Sequence, residues 1–154
     1  MAYNQIGLYA PVAVAGMKAT PDQSVYTPTN YLVGDANGID VGTFVAASAT
    51  AGEATATIAN ANAILGFVER VINSFDFDLT SGGTLTLAEG SLMTIAVKGD
   101  YYVVAPATVA FGDSVYCDAT GKVVASSATG AIQTTWKYKT AGAADEMVII
   151  SNWA

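Results

Sequence analysis

The chain has no histidine and one cysteine in 154 residues. Without histidine it lacks the commonest general base and the commonest metal ligand. A single cysteine, Cys117, excludes an intrachain disulfide and any cysteine cluster for zinc or iron–sulfur. Its setting, Val115-Tyr116-Cys117, reads as a small buried strand residue rather than a reactive thiol. Charge is also scarce: Asp, Glu, Lys and Arg make up 12% of the chain, against about 25% in an ordinary soluble domain. The six cations are Lys18, Arg70, Lys98, Lys122, Lys137 and Lys139. Apart from the last two they are scattered, so there is no basic patch to neutralise nucleic-acid phosphates and no polybasic membrane contact. No apolar run approaches the ~18 residues of a membrane-spanning helix. The apolar stretch Ile6–Gly16 lacks a basic start and has Lys18 on the wrong side for a secretory signal, so the chain reads as made and used without export.

What the chain does have is apolar bulk, 52% of residues, and a net charge of −7. Its length fits one domain with a sizeable core. A surface so poor in charge points to extensive contact with other protein, because interface centres are depleted of charge.

One short phrase recurs three times. An apolar residue stands three before a glycine, and an apolar strand follows: Ile39-Asp40-Val41-Gly42-Thr43-Phe44-Val45, Leu87-Ala88-Glu89-Gly90-Ser91-Leu92-Met93 and Val109-Ala110-Phe111-Gly112-Asp113-Ser114-Val115. Gly42, Gly90 and Gly112 suit tight turns that feed strands, because glycine adopts φ > 0 at little cost. Around them the chain alternates. Thr43–Ala47, Leu92–Val97, Tyr101–Ala105, Ser114–Asp118, Val123–Ala125, Thr134–Lys139 and Glu146–Trp153 read as strands, with turn signals between them. Leu65–Ile72 leads into Phe75-Asp76-Phe77-Asp78-Leu79, and Ser81-Gly82-Gly83 turns that run into Thr84–Leu87 as a hairpin. In the Ala/Thr-rich stretch 48–62, two short strands and a loop are expected, with a short helix at 58–65 as the alternative. This spacing predicts an all-β fold: an antiparallel β-sandwich or barrel over residues 36–154.

Residues 1–35 differ. They hold three of the four prolines, Pro11, Pro21 and Pro28, and show no period of 2 or 3.6. They are too apolar and aromatic for a disordered tail. They read as an extended arm, laid over its own body or a neighbour. Tyr3, Tyr9, Tyr26 and Tyr31, with Trp153 at the other end of the chain, are candidate interface anchors, because aromatics carry interface energy disproportionately. Trp136 and Tyr138 share one face of their strand, and Lys137 and Lys139 take the other.

Candidate catalytic groups are few. Asp76 and Asp78 would lie about 7 Å apart on one strand face, from ~3.4 Å of rise per residue. Paired carboxylates can cleave glycosides, but that needs a cleft and one raised pKa, and calcium needs more oxygen ligands. A solvated strand face explains them more simply. No Ser-x-x-Lys, Gly-x-Ser-x-Gly or phosphate-binding glycine motif is present. The chain reads as a non-enzyme without cofactor or metal.

Several phrases occur in a specific order: Gly16-Met17, Ile39-Asp40-Val41-Gly42, Gly66-Phe67-Val68-Glu69-Arg70, Ser81-Gly82-Gly83-Thr84, Val97-Lys98-Gly99-Asp100-Tyr101, Gly112-Asp113-Ser114-Val115-Tyr116 and Thr120-Gly121-Lys122-Val123. The end, Thr140-Ala141-Gly142-Ala143-Ala144-Asp145-Glu146 followed by Val148-Ile149-Ile150-Ser151, completes the series. In this order the chain resembles the capsid cement (decoration) proteins of tailed bacteriophages. The resemblance implies a β-barrel or jelly-roll-like body on the outer surface of a virion, assembled in the host cytoplasm. It implies clamping of neighbouring major capsid protein subunits, and self-association as a trimer ahead of a dimer. A host-surface or glycan-binding module displayed on the virion is the other reading.

Overall fold

The computed structural model describes residues 13–20, 23–71 and 85–153. Strands are numbered in chain order. One sheet runs, in spatial order, β1 (Val25–Tyr26), β9 (Ile95–Lys98), β6 (Ile64–Val68), β4 (Phe44–Ala47), β5 (Glu53–Thr55), β2 (Tyr31–Val33) and β8 (Leu92–Met93). A second runs β10 (Asp100–Val104), β14 (Met147–Ser151), β13 (Ile132–Tyr138), β11 (Ser114–Cys117) and β12 (Val123–Val124). A two-stranded ribbon pairs β3 (Ile39–Asp40) with β7 (Thr86–Leu87). The architecture is an all-β sandwich with open sheets.

The first sheet is strongly curled. β8 stands at its far edge and β9 next to the opposite edge, yet only Thr94 separates them in the chain. Leu92–Lys98 is thus one extended run that changes partners at Thr94, from Tyr31–Leu32 to Phe67–Val68. The single strand expected over Leu92–Val97 is divided there because no one partner spans it. The curl gives the wall of β4, β6 and β9 two buried faces. Phe44, Ala46, Phe67 and Ala96 point outward into a core shared with the five-stranded sheet. Val45, Val68 and Ile95 point inward and meet Val33, Ala54 and Met93 from the opposite wall. Ile39 and Leu87 from the ribbon join that second core.

Four aromatic rings lock the two sheets together. Phe44 and Phe67 come from the curled sheet; Tyr101 and Trp136 come from the other. Their centroids lie 5.3 to 6.1 Å apart in edge-on and tilted pairs, the geometry that ring quadrupoles favour. Alternation in the five-stranded sheet follows directly. Thr134, Trp136 and Tyr138 are buried, whereas Gln133, Thr135 and Lys137 are exposed.

Two expectations from the sequence need correction. The sheets are mixed rather than wholly antiparallel: β2 pairs in parallel with β5, a geometry that the intervening β3 and β4 make possible by carrying the chain across. The Ala/Thr stretch holds one strand, β5, and a single 3₁₀ turn at Ala61–Ala63. Past Thr55 the ladder stops because Asp35 captures it. Its carboxylate accepts from the Thr55 hydroxyl at 2.7 Å and from the Ala56 N–H at 2.6 Å, so side-chain bonds replace strand pairing. The hairpin expected around Ser81-Gly82-Gly83 lies outside the described residues, as do Asp76 and Asp78.

The described part of the stretch 1–35 lies on the body. Gly16, Met17 and Ala19 extend the edge of β10 through backbone hydrogen bonds to Tyr102 and Asp100, and β1 and β2 belong to the curled sheet. Gly16 and Gly42 meet there. A Cβ on Gly42 would lie 2.9 Å from the Gly16 nitrogen, and one on Gly16 would lie 2.8 Å from the Gly42 nitrogen. Two backbones can cross this closely only without side chains, and both residues have positive φ, 82° and 79°. Asp100 fastens the same segment. It is 2% exposed, bonded to Lys139 and reached by the Thr20 hydroxyl at 3.4 Å. Burial alone would raise its pKa; the Lys139 ammonium and neighbouring hydroxyls outweigh burial and hold it below the usual carboxylate range.

Two predictions follow from these contacts. Gly90→Ala meets open space at φ 78° and should cost about 1 kcal/mol, the left-handed penalty alone. Gly42→Ala adds a backbone clash and should cost roughly 2–4 kcal/mol, read as a larger fall in Tm by calorimetry. Equal costs would contradict the close crossing. Asp100→Asn should lower stability by roughly 1–2 kcal/mol, because Lys139 is 46% exposed and partly screened. Asp100 has a depressed folded pKa, so its contribution is full above the unfolded pKa and is lost as pH falls through the folded one. The variant's Tm should therefore fall less steeply than the parent's on acidification.

Candidate functional site

Among the described residues, no cleft gathers Tyr26, Tyr31 and Trp153. Tyr3 and Tyr9 lie outside the described residues. Tyr26 is 40% exposed on edge strand β1. Its phenol is pushed above the usual range by burial and by the Glu69 carboxylate. Glu69 also takes the Tyr101 hydroxyl at 2.8 Å, and the Ser24 hydroxyl lies 2.9 Å from the same phenol. Trp153 is 46% exposed, with the Lys98 ammonium 6.0 Å from its ring centroid. Lys98 is the direct ladder partner of Val25, so Trp153 lies near the β1 edge, where Val25 and Tyr26 are also exposed. Tyr31 is elsewhere, half-buried against the second core. Gly42, Gly90 and Gly112 have φ of 79°, 78° and 87° and lie just before β4, β8 and β11. Cys117 is fully buried in the first core, and burial pushes its thiol up to about 11, with Asp118 adding to the shift. Lys137 points to solvent, while Lys139 bonds Asp100.

Sequence reasoning missed two ladder-paired apolar couples. Leu32 and Leu92 face each other across β2 and β8 and are 42% and 60% exposed. Val104 and Met147 face each other across β10 and β14 and are 42% and 37% exposed. The couples stand on different walls. Leu32 and Leu92 point outward where the curled sheet has left the five-stranded sheet behind. Val104 and Met147 lie on the outer face of the five-stranded sheet, because Val103 and Val148 point into the core. Both hydrophobic cores therefore lie between them, roughly 20 Å for two face-to-face sheet packings of ~10 Å. The available signal was the unbroken apolar run in each strand, Tyr31-Leu32-Val33 and Met147-Val148-Ile149-Ile150: period 2 puts alternate members of such a run on the outer face. Among the described residues Phe111 is the most exposed large apolar one, at 76%, in the turn that precedes β11.

Each couple is small, so neither forms a patch large enough to drive aggregation alone. Together they offer apolar contact on opposed faces of one rigid body.

A search of curated proteins returns no match. A chain in the solved structure of the capsid of Myoviridae phage XM1 shares the fold, with a TM-score of 0.66 and 20% identity over 99% of this chain and 98% of that one. A family model described as structural cement protein (E217 gp24/Pam3 gp6) matches residues 3–152. The chain therefore belongs to the structural cement proteins of phage capsids.

Proposed function

We propose that the protein binds the outside of a phage head and stabilises contacts between neighbouring major capsid protein subunits. The observation that carries this reading is the placement of the Leu32/Leu92 and Val104/Met147 couples on opposed faces of a rigid body, in a chain of the cement family. A molecule with two separate adhesive faces can touch two subunits at once. Linked contacts gain avidity although each is weak. Val25, Tyr26 and Trp153 supply a third contact at the β1 edge, and Tyr3 and Tyr9, in the stretch 1–35, are further anchors for a neighbour. Self-association, as a trimer ahead of a dimer, belongs to the same reading and is measured as mass in solution.

Added to heads that lack it, the purified protein should bind in fixed stoichiometry and raise their disruption temperature. Leu92→Asp and Met147→Asp should each weaken retention, and the pair together should abolish it, with unchanged folding by circular dichroism. Failure of the unaltered protein to bind any expanded head would sink the proposal.

The arm gives a separate test. Removal of residues 1–12 takes away Tyr3 and Tyr9 and spares every hydrogen bond that Gly16–Ala19 makes to β10, so head binding should weaken while the β10 edge stays covered. Removal of residues 1–20 also uncovers the β10 edge and should lower Tm. A 1–12 deletion that binds heads as well as the full chain would exclude the arm from the contact.

A further inference from the structure

One end of the sandwich holds a groove of about 330 Å³, built from the chain after β10 and the chain after β12. Its Ser114 and Tyr116 alternate with the core residues Val115 and Cys117, so they share the outer face of the five-stranded sheet with Val104 and Met147. The groove stands at the β11–β12 end of that sheet, however, and its chemistry differs from theirs. Tyr116, half-buried, and the side chains of Pro106, Val109 and Val124 give it hydrocarbon surface. Thr108, Ser114, Ser126, Ser127 and Tyr138 give it hydroxyls. Among the described residues Asp113 is the only charged one that lines it, and none of the chain's six cations does.

Each part of that inventory restricts what fits. Hydroxyl groups both donate and accept, so a cluster of them matches a ligand whose own groups do both. An aromatic ring beside aliphatic groups receives a face of C–H bonds. A carboxylate accepts from paired ligand hydroxyls in charge-assisted bonds, and in a groove without cations it repels anions. Asp113 is already held in place, accepting from the Ala110 N–H at 2.8 Å, and Ser114 accepts from the Gln133 amide at 3.1 Å. The Tyr138 phenol stays protonated at neutral pH, since burial and then Asp113 push it up to about 12. The volume sits at the low end of the about 300–1,000 Å³ common for small-molecule sites.

We propose that this groove binds a neutral saccharide, with Tyr116 against the sugar ring and Asp113 and the serine hydroxyls on its hydroxyl groups. The site goes beyond shell binding. On a head carrying many copies, a display that rests on the function proposed above, weak single-site affinity would sum to firm attachment to a glycan-coated surface.

The test is saturation-transfer NMR on the full chain with methyl glycosides of glucose, galactose and mannose and with N-acetylglucosamine. Glucuronic acid, sialic acid and glucosamine serve as charged comparators. At least one neutral sugar should bind saturably, with a Kd on the order of millimolar, and the acidic sugars should bind at least roughly tenfold more weakly. Tyr116→Ala removes the ring and Val124→Trp fills the groove; each should weaken binding at least roughly tenfold. Two variants keep the test decisive if one fails to fold, as judged by near-UV circular dichroism. Both should bind heads like the unaltered protein. Several outcomes would overturn the proposal: no neutral sugar binds, binding survives both substitutions, or acidic sugars bind best. Preference for glucosamine over glucose would reassign the groove to a cationic ligand, and loss of head binding in a folded Tyr116→Ala would make it a shell contact instead.

Discussion

The rest of the structure depends on four aromatic rings. Phe44 and Phe67 stand on the outer face of the curled sheet, Tyr101 and Trp136 on the inner face of the five-stranded one, and each ring has two or more of the others within about a ring's breadth. This contact fixes which face of the curled sheet is covered. It commits β4, β6 and β9 to burial on both sides and leaves β2, β5 and β8 to form the opposite wall. Exposed apolar side chains cannot stand on a wall with no free face. They are displaced to the far wall, to the outer face of the five-stranded sheet and to the β1 edge, where Leu32 and Leu92, Val104 and Met147, and Tyr26 and Trp153 are found. The spread of the exposed apolar residues is thus a consequence of how the core closes.

The same contact marks the limit of what the residue pattern could reveal. Alternation in Ile132–Tyr138 and Met147–Ser151 sorts side chains onto two faces, and burial follows it. Glycines at 42, 90 and 112 mark strand entries for a local reason, the left-handed φ. Both signals are carried within a few residues, so they are legible in the chain. The curl at Thr94 is not, because it depends on Leu92–Lys98 finding two different partners far away in sequence. Nor is the end of β5, which is set by the Asp35 carboxylate 20 residues from Thr55. The adhesive couples fall between these cases. Period 2 implies that Leu32 and Met147 share faces with other apolar residues, but only the packing of the sheets decides which face meets water. Tyr31 shows the converse: an aromatic in the right stretch of chain that the second core absorbs.

Charge and its titration complete the argument for a part that must hold without responding. The chain has no histidine, the one side chain whose ordinary pKa falls in the physiological range. Where the fold moves a pKa, it moves it away from neutrality. Burial carries the Cys117 thiol up to about 11 and the Tyr138 phenol up to about 12, and Lys139 holds Asp100 below the ordinary carboxylate range. None of these groups changes charge near neutral pH. Contacts made by paired leucines, valine and methionine carry no charge to be screened, so salt weakens them little. The proposed adhesion would therefore be neither gated by pH nor loosened by ionic strength. A shell that forms in one medium and must survive in another needs contacts with those two properties, and the proposed contacts, on a surface poor in charge, would have both.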